Sequence, residues 1–397
     1  MTILVLSPYP IENPRHGGQL RVHNIVKHYR NMGHVVEVAG VLTSMGYPQE
    51  DGFLPYPGDE VLMKICDPLH TLQDYATGKL FEEDDRYFSL LENKIKNIPH
   101  IIQVEHPWLF GFAKKYANKY KKIKIIYDSH NIEYIMKKEI YATYFGNDKA
   151  LKIEQMLWDM ERCSIQDADA VYCVSKSDLD FIEQNTSKPV LCVQNGVADW
   201  RHQPCDIEAA HEIARRQPFA LFCGSGHPPN AEGFFRMFGG GFGSLSPEQN
   251  LVVVGGVYHL LKNDIRLKKS AKLEEKTIFA QEVSAPVLYG LLNLAHCFVL
   301  PITEGGGTNL KTAEALWSGK YIVATSKAMR GFEEFIGSEG VYIADDPGAF
   351  KRSLRHVMNL PELEITPEER MRRSKVLWTS CLSPITDFFK RNIEEGR

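Results

Sequence analysis

Neither a long apolar run nor paired cysteines nor an excess of positive charge occurs in this chain of 397 residues. No apolar stretch approaches the ~18 residues that a membrane-crossing helix needs. Eight cysteines are scattered without a CxxC pair. Cys173, Cys192, Cys223 and Cys297 each sit inside an apolar, strand-like run, where a free thiol behaves as a small hydrophobe. A disulfide framework and a zinc site are therefore not expected, and the composition suits a reduced, cytoplasmic protein. With a net charge of −4, the molecule as a whole is no electrostatic binder of nucleic acid. The opening MTILVLSPYP has no basic leader and no small-residue cleavage site, so it reads as a first strand rather than a signal peptide. Repeats of solenoid length and low-complexity tracts are absent as well.

What is present is an alternation of short apolar runs with amphipathic stretches, the pattern of parallel sheets covered by helices on both faces. A chain of this length exceeds what one core organises, so two domains of roughly 200 residues each are expected. The first series runs from ILVL at 3–6 through HVVEVAGV, IIQVE at 101–105, IKIIYD at 123–128, DADAVYCVS and PVLCVQNG. Gly17 and Gly18 precede the amphipathic QLRVHNIVKHYRNMG, a long helix is predicted over 132–166, and residues 45–80 carry no firm pattern. The polar VADWRHQPCD reads as a linker. A second series follows at 219–224, 251–256, 277–280, 296–302, 321–325 and 340–344. The expected architecture is α/β, with two doubly wound domains in tandem over 1–200 and 201–380. Such sheets bind ligands beyond the carboxyl ends of their strands, which makes a cleft between the domains the expected site.

The stretch EGGGTNLKTAEALWSGK, Glu304 to Lys320, carries the most chemistry. Its glycines lie between a strand and a helix, where backbone N–H groups can approach a ligand closely. The first N–H groups of a helix favour phosphate, Lys311 adds a full charge, and Glu314 on the same helix side can accept hydrogen bonds from hydroxyls. A phosphate beside a polyol suits that arrangement. The plainer alternative is a tight turn followed by an exposed Lys311–Glu314 pair. Other phosphate motifs do not fit. A P-loop needs Ser or Thr after its Gly-Lys, and Tyr321 stands there. GSGHPP, after the strand at 219–224, has Pro229 where a dinucleotide fingerprint has its third glycine.

These residues resemble the family 4-like glycosyltransferases of the GT-B architecture. The resemblance runs through SPYP, GGQLRVHNIVKHYRNMGHVVEV, QVEHPWLFGF, DSHNIEY, DADAVYCVS, VQNGV, FCGSGHPPNAEG and, most specifically, PITEGGGTNLKTAEALWSGKYIVAT. It implies two Rossmann-like domains with a cleft between them, the C-terminal one holding a nucleotide-diphosphate sugar and the N-terminal one presenting the acceptor. By resemblance, Glu314 bonds the ribose hydroxyls, and Gly306, Gly307, Thr308 and Asn309 with Lys311 hold the diphosphate and assist its departure. Gly17 and Gly18 match the family's glycine loop near the sugar phosphate, and Val283 offers a backbone contact to the base. Retention of configuration, no cofactor and no metal are implied, as is a return of residues 381–397 to the N-terminal domain. Two features depart from the family. The place of the earlier glutamate that many members carry is taken by Gly306, with Glu304 out of register. The basic pair expected after the first strand of the second domain is missing from GSGHPPNAEG, leaving Lys311, Arg15 or Arg21 to neutralise the diphosphate.

Glu105 and His106 sit where family members place a histidine that orients sugar or acceptor, so a base or orienting role falls to them, against the alternative of a plain polar strand end. Asp128, His130, Asn131 and Glu133 form a second polar cluster, either functional or capping the next helix; Arg21, His130 and Asn131 are assigned to the acceptor. The DxD pairs Asp167/Asp169 and Asp178/Asp180 are too weak a pattern to imply a metal. AKKYANKYKKIK holds six lysines, which form either a solvated face or, over Lys114–Lys124, a contact for anionic lipid at the inner membrane face, the setting of a lipid-linked acceptor. The expected activity is transfer of a sugar to a glycan or lipid-linked glycan in surface polysaccharide or glycoconjugate synthesis. A sugar-nucleotide epimerase and a non-catalytic nucleotide-sugar binder stay open as alternatives.

Overall fold

A computed structural model describes residues 1–67, 69, 71–304 and 310–394. The chain divides into two units, one formed by Met1–Gln194 with Leu382–Arg397 and the other by Asn195–Cys381. Each is built on one parallel sheet. In unit 1 the strands are β1 (Thr2–Ser7), β2 (Val35–Val41), β3 (Phe53–Leu54), β4 (Ile101–Glu105), β5 (Lys124–Asp128), β6 (Ala170–Cys173) and β7 (Val190–Cys192), in the order β3-β2-β1-β4-β5-β6-β7. Unit 2 contains β8 (Phe219–Cys223), β9 (Asn250–Val254), β10 (Thr277–Gln281), β11 (Cys297–Leu300), β12 (Tyr321–Ala324) and β13 (Val341–Ile343), in the order β10-β9-β8-β11-β12-β13. Both sheets reverse direction beside their first strand, between β1 and β4 and between β8 and β11. At such a switch point the loops that follow the strands diverge and leave a crevice for a ligand.

Burial on both faces explains why the strands read as continuous apolar runs. In unit 2, Leu221, Val252, Phe298, Leu300 and Ile322 enter one core cluster, while their chain neighbours Phe222, Val253, Val299 and Val323 enter another. Successive side chains of a strand alternate between faces, and here each face has its own helical cover. Helix Pro228–Phe238 covers one of them, and Gly233 permits its close approach. A Cβ at Gly233 would stand 2.0 Å from the carbonyl oxygen of Pro301. Gly233→Ala is accordingly expected to destabilise unit 2 by about 1–3 kcal/mol through overpacking against backbone, read as a lowered urea midpoint with an unchanged slope.

Several local expectations change. The predicted helix over 132–166 is two helices, Glu133–Phe145 and Asn147–Asp167, because Gly146 between them adopts φ 82°, which no continuous helix accommodates. Gly17 and Gly18 do not precede a helix but open it: Gly17–Asn31 is helical, with His16 as its cap, accepting from the Gln19 amide. Residues 45–80, without firm pattern in the sequence, contain β3 and helices Asp59–Leu62 and Gln73–Glu83. Within unit 1, the C-terminal helix Ser383–Phe389 places the Phe389 ring 5.2 Å from that of Tyr29, and Thr386 Oγ1 lies 2.9 Å from His28 Nε2. Among the described residues, no helix is long and apolar enough to cross a membrane.

Candidate active site

In unit 1 the carboxyl ends of β1, β4 and β5 carry a dense polar cluster. Glu105 and Asp128 are register partners at the last positions of β4 and β5, so their carboxyls lie side by side. Both are buried. Arg21, from the Gly17–Asn31 helix, grips Asp128 with Nε at 2.9 Å and Nη2 at 2.6 Å, while its Nη1 donates to the Val193 carbonyl at 2.6 Å. The guanidinium holds the Asp128 carboxyl well below the usual range against the opposing effect of burial. Burial, and then the Asp128 charge, push Glu105 well above its usual value, so of the two acids Glu105 retains the proton.

Two imidazoles stand over this layer with ring centres 4.0 Å apart. His130 directs Nε2 at Glu105 Oε2 (2.8 Å) and Asp128 Oδ2 (3.5 Å). His106 directs Nδ1 at Glu133 Oε1, 2.8 Å away. Their other nitrogens converge on the Tyr9 hydroxyl, 3.1 Å from His106 Nε2 and 3.4 Å from His130 Nδ1. Burial and the neighbouring His130 lower the His106 pKa, while the Glu133 carboxylate is held below its usual range by its bond to His106 despite burial. The pair is therefore a neutral imidazole donating Nδ1–H to a carboxylate. His106 also has φ 59°, a left-handed backbone that an L-residue adopts at a cost, and its N–H is held by the Asp128 carbonyl at 3.1 Å. Strain of this kind gathers at ligand sites. Gly18 lies against the same tyrosine, since a Cβ there would meet the Tyr9 hydroxyl at 2.4 Å. His16 packs edge-on to Tyr9 at 4.9 Å, and burial pushes its pKa down to about 4.

In unit 2, helix Leu310–Ser318 follows β11 and carries Lys311 and Glu314 on one side. Neither is an exposed charge. Desolvation lowers the Lys311 pKa, and Nζ donates to Asn230 Oδ1 at 3.1 Å. Asn230, itself buried, is fixed in turn by donating to the Ser225 carbonyl and hydroxyl at 2.9 and 3.2 Å. Burial pushes Glu314 up to about 7, with Lys311 opposing. The buried surroundings also raise the Cys223 thiol at the end of β8, to which Glu314 contributes. An ammonium and a carboxyl that have both lost solvation make a site poised for a ligand carrying anionic and hydroxyl groups.

The residues expected from sequence thus take different places. His106, His130 and Asn131 gather in unit 1, with Asn131 Nδ2 3.3 Å from Glu133 Oε1; Lys311 and Glu314 gather in unit 2. Gly306, Gly307, Thr308 and Asn309 lie outside the described residues. Val283 is half-buried against the unit 2 core. Arg21 is different: its side chain is 0% exposed and held by Asp128 and Val193, so it supports the cluster from inside instead of lying open to an acceptor. Glu105 is buried too and reaches outward through His130. Sequence reasoning passed over Tyr9, His16 and Asn230 as site residues, although SPYP and HPPNAEG contain two of them. Glu105, Asp128 and His130 bring ligand atoms within 4.8 Å of one another, a grouping that a cation could use, but both Asp128 oxygens already serve the guanidinium. The DxD aspartates have local partners, Asp167 with Lys114 at 2.5 Å, Asp169 with the Ile125 amide at 2.8 Å and Asp180 with Lys176 at 2.7 Å. In the lysine run, Lys114, Lys115 and Lys119 pair with Asp167, Asp85 and Glu92, which neutralises half of its six charges.

Two parallel sheets of this order, each with its polar cluster at the carboxyl edge, define a protein of two Rossmann-like domains. Comparison with known proteins narrows this. The family described as Glycosyltransferase Family 4 matches residues 15–201, and Glycosyl transferases group 1 matches 217–359. The chain belongs to the family 4-like glycosyltransferases of the GT-B fold. Sucrose-phosphate synthase from Thermosynechococcus elongatus superposes with a TM-score of 0.71 at 13% identity, covering 99% of both chains. HepE of Anabaena in complex with UDP gives 0.59 at 13% identity, over 98% of this chain and 100% of that one. The catalytic domain of starch synthase IV from Arabidopsis thaliana, bound to ADP and acarbose, gives 0.60 at 12% identity, covering 99% of both. A search of curated protein sequences returned no match.

Proposed function

We propose that the protein transfers a sugar, with retention of configuration and without a metal, from a nucleotide-diphosphate sugar to a glycan or lipid-linked glycan, in the synthesis of a surface polysaccharide or glycoconjugate. Unit 2 takes the donor. The observation that carries this is the desolvated pair of Lys311 and Glu314 on one side of the helix that follows β11, with Asn230 behind the lysine. Lys311 neutralises the diphosphate as it leaves, and the Glu314 carboxylate accepts from the ribose hydroxyls. The adjoining Gly306–Asn309 amides and the Val283 backbone take the diphosphate and the base. HepE is described with UDP and starch synthase IV with ADP, which supports a nucleoside diphosphate as the shared element.

Unit 1 takes the acceptor. Tyr9, His106 and His130 offer a hydroxyl and two imidazoles at the strand ends, with Gly17, Gly18 and Asn131 beside them. In a retaining transfer the departing diphosphate oxygen can itself remove the acceptor proton, so no strong base is required and the neutral His106 imidazole suffices to orient the hydroxyl. The cytoplasm supplies nucleotide sugars and matches the eight free cysteines. The half-neutralised lysine run offers only weak support for a contact at the inner membrane face.

Calorimetric titration of the full chain with UDP, GDP, ADP and dTDP, without metal, tests the donor site. One nucleotide is expected to bind in the micromolar range. If all four leave the heat signal at the dilution baseline, the donor assignment falls. An acceptor screen with the sugars of the bound nucleotide then separates transfer from epimerisation, which changes the sugar with no acceptor present.

A further inference from the structure

The polar cluster of unit 1 turns one imidazole acceptor toward Tyr9. Glu133 accepts from His106 Nδ1, so the neutral ring has its lone pair on Nε2. His130 turns Nε2 toward Glu105 and Asp128. The Tyr9 hydroxyl lies nearer to His106 Nε2 than to His130 Nδ1, at 3.1 Å against 3.4 Å. The Nε2 lone pair accepts one hydrogen bond, and a sugar hydroxyl can supply the donor as the tyrosine does.

Glu133 determines this arrangement from one side. Its carboxyl is buried, and its position is set by the start of the Glu133–Phe145 helix. There the N–H groups of Glu133 and Tyr134 both donate to the buried Glu161 carboxyl at 2.9 Å. The left-handed backbone of His106 then brings its Nδ1 onto Glu133 rather than into solvent. A histidine that another group holds in one tautomer presents a defined hydrogen-bonding edge, as second-layer carboxylates commonly arrange.

We propose that Glu133 is a positioning residue that holds His106 with Nδ1 protonated, so that Nε2 accepts a hydrogen bond from a hydroxyl of the sugar acceptor bound by unit 1. The ligand class rests on the function proposed above; the tautomer does not. His106 orients the substrate hydroxyl, Tyr9 lies against the same lone pair, and Glu133 acts only through the imidazole.

Side-chain nitrogen NMR of the full chain labelled with ¹⁵N-histidine reads this directly, with His106→Asn to assign the signal. Wild-type His106 is expected with Nδ1 protonated and Nε2 bare. Glu133→Gln, whose amide oxygen still accepts, keeps that tautomer. Glu133→Met removes the acceptor and shifts the ring to Nε2–H. In the transfer assay, Glu133→Met raises the acceptor KM about tenfold, the effect of one lost hydrogen bond, and leaves the donor KM unchanged; Glu133→Gln stays near wild type. A wild-type ring protonated on Nε2, or a Glu133→Met ring still protonated on Nδ1, overturns the proposal. Should Glu133→Met fail to fold, Tyr9→Phe decides: losing its donor shifts the bare Nε2 signal, and an unmoved signal overturns the proposal. If no nucleotide binds and no sugar is transferred, the reading of the function fails while the tautomer result stands by itself.

Discussion

Arg21→Met is expected to destabilise the protein by roughly 3–5 kcal/mol, the usual effect of leaving a buried charge without its partner. Arg21 and Asp128 have side chains at 0% exposure, and the guanidinium makes both of its Asp128 contacts at 2.9 Å or less. Without it, the buried Asp128 carboxylate loses the guanidinium that balances it. For a unit of this size the loss corresponds to about 10 °C in melting temperature. The pH dependence provides a check on the cause. Asp128 is held below its ordinary value in the folded protein, so its contribution is complete above the usual carboxylate range and is lost as pH falls through the folded value. In Arg21→Met the acid takes a proton readily, and the gap between variant and wild type should narrow as the solution becomes more acidic. The double variant Arg21→Met/Asp128→Leu should recover part of the lost stability, because it removes both charges instead of stranding one. A gap that is the same at all pH values would mean that Arg21 acts by packing alone.

The second large effect concerns the donor. Lys311→Ala is expected to weaken nucleotide binding by about 100-fold and Glu314→Ala by at least tenfold, in line with charge-assisted hydrogen bonds worth roughly 1.5–3 kcal/mol each. Glu314 adds a pH signature. Burial pushes its pKa up to about 7, and a protonated carboxyl is a poor acceptor for two ribose hydroxyls. Affinity should therefore fall about tenfold per pH unit below 7 and level off above it. A nucleotide sugar is the better ligand here, because its diphosphate diester does not titrate in that range as a free diphosphate does. Glu314→Gln should bind weakly but with no slope. Full affinity in Glu314→Gln, or a slope unchanged by it, would remove Glu314 from the ribose.

How much of this could be read from the chain differs from feature to feature. The six strands of unit 2 are short apolar runs between polar turns, and all six occur where their pattern placed them, because both faces of that sheet are covered. Lys311 and Glu314 were legible for a related reason: three residues apart on one helix, their side chains share a side whatever surrounds them. Gly146 was harder. A glycine inside a helical pattern is usually tolerated, and only the packing of the Glu133–Phe145 and Asn147–Asp167 helices against each other demands the turn at φ 82°.

Sequence alone determined the class of fold, the number of sheets and the pairing of Lys311 with Glu314 on one helix side, since each depends on local periodicity or on neighbours within one helical turn. The tertiary structure decided the rest. Tyr9 meets His106 across 97 positions of chain, His106 meets Glu133 across 27, and Lys311 finds Asn230 across 81. It also decided that Arg21, polar and charged on an amphipathic helix, lies under the cluster instead of at its mouth, because that helix and the parallel register of β4 and β5 bring its guanidinium onto Asp128. Hydrogen-bond partners of this kind are set by which strand ends lie side by side, and strand order leaves no periodic trace in the residues themselves.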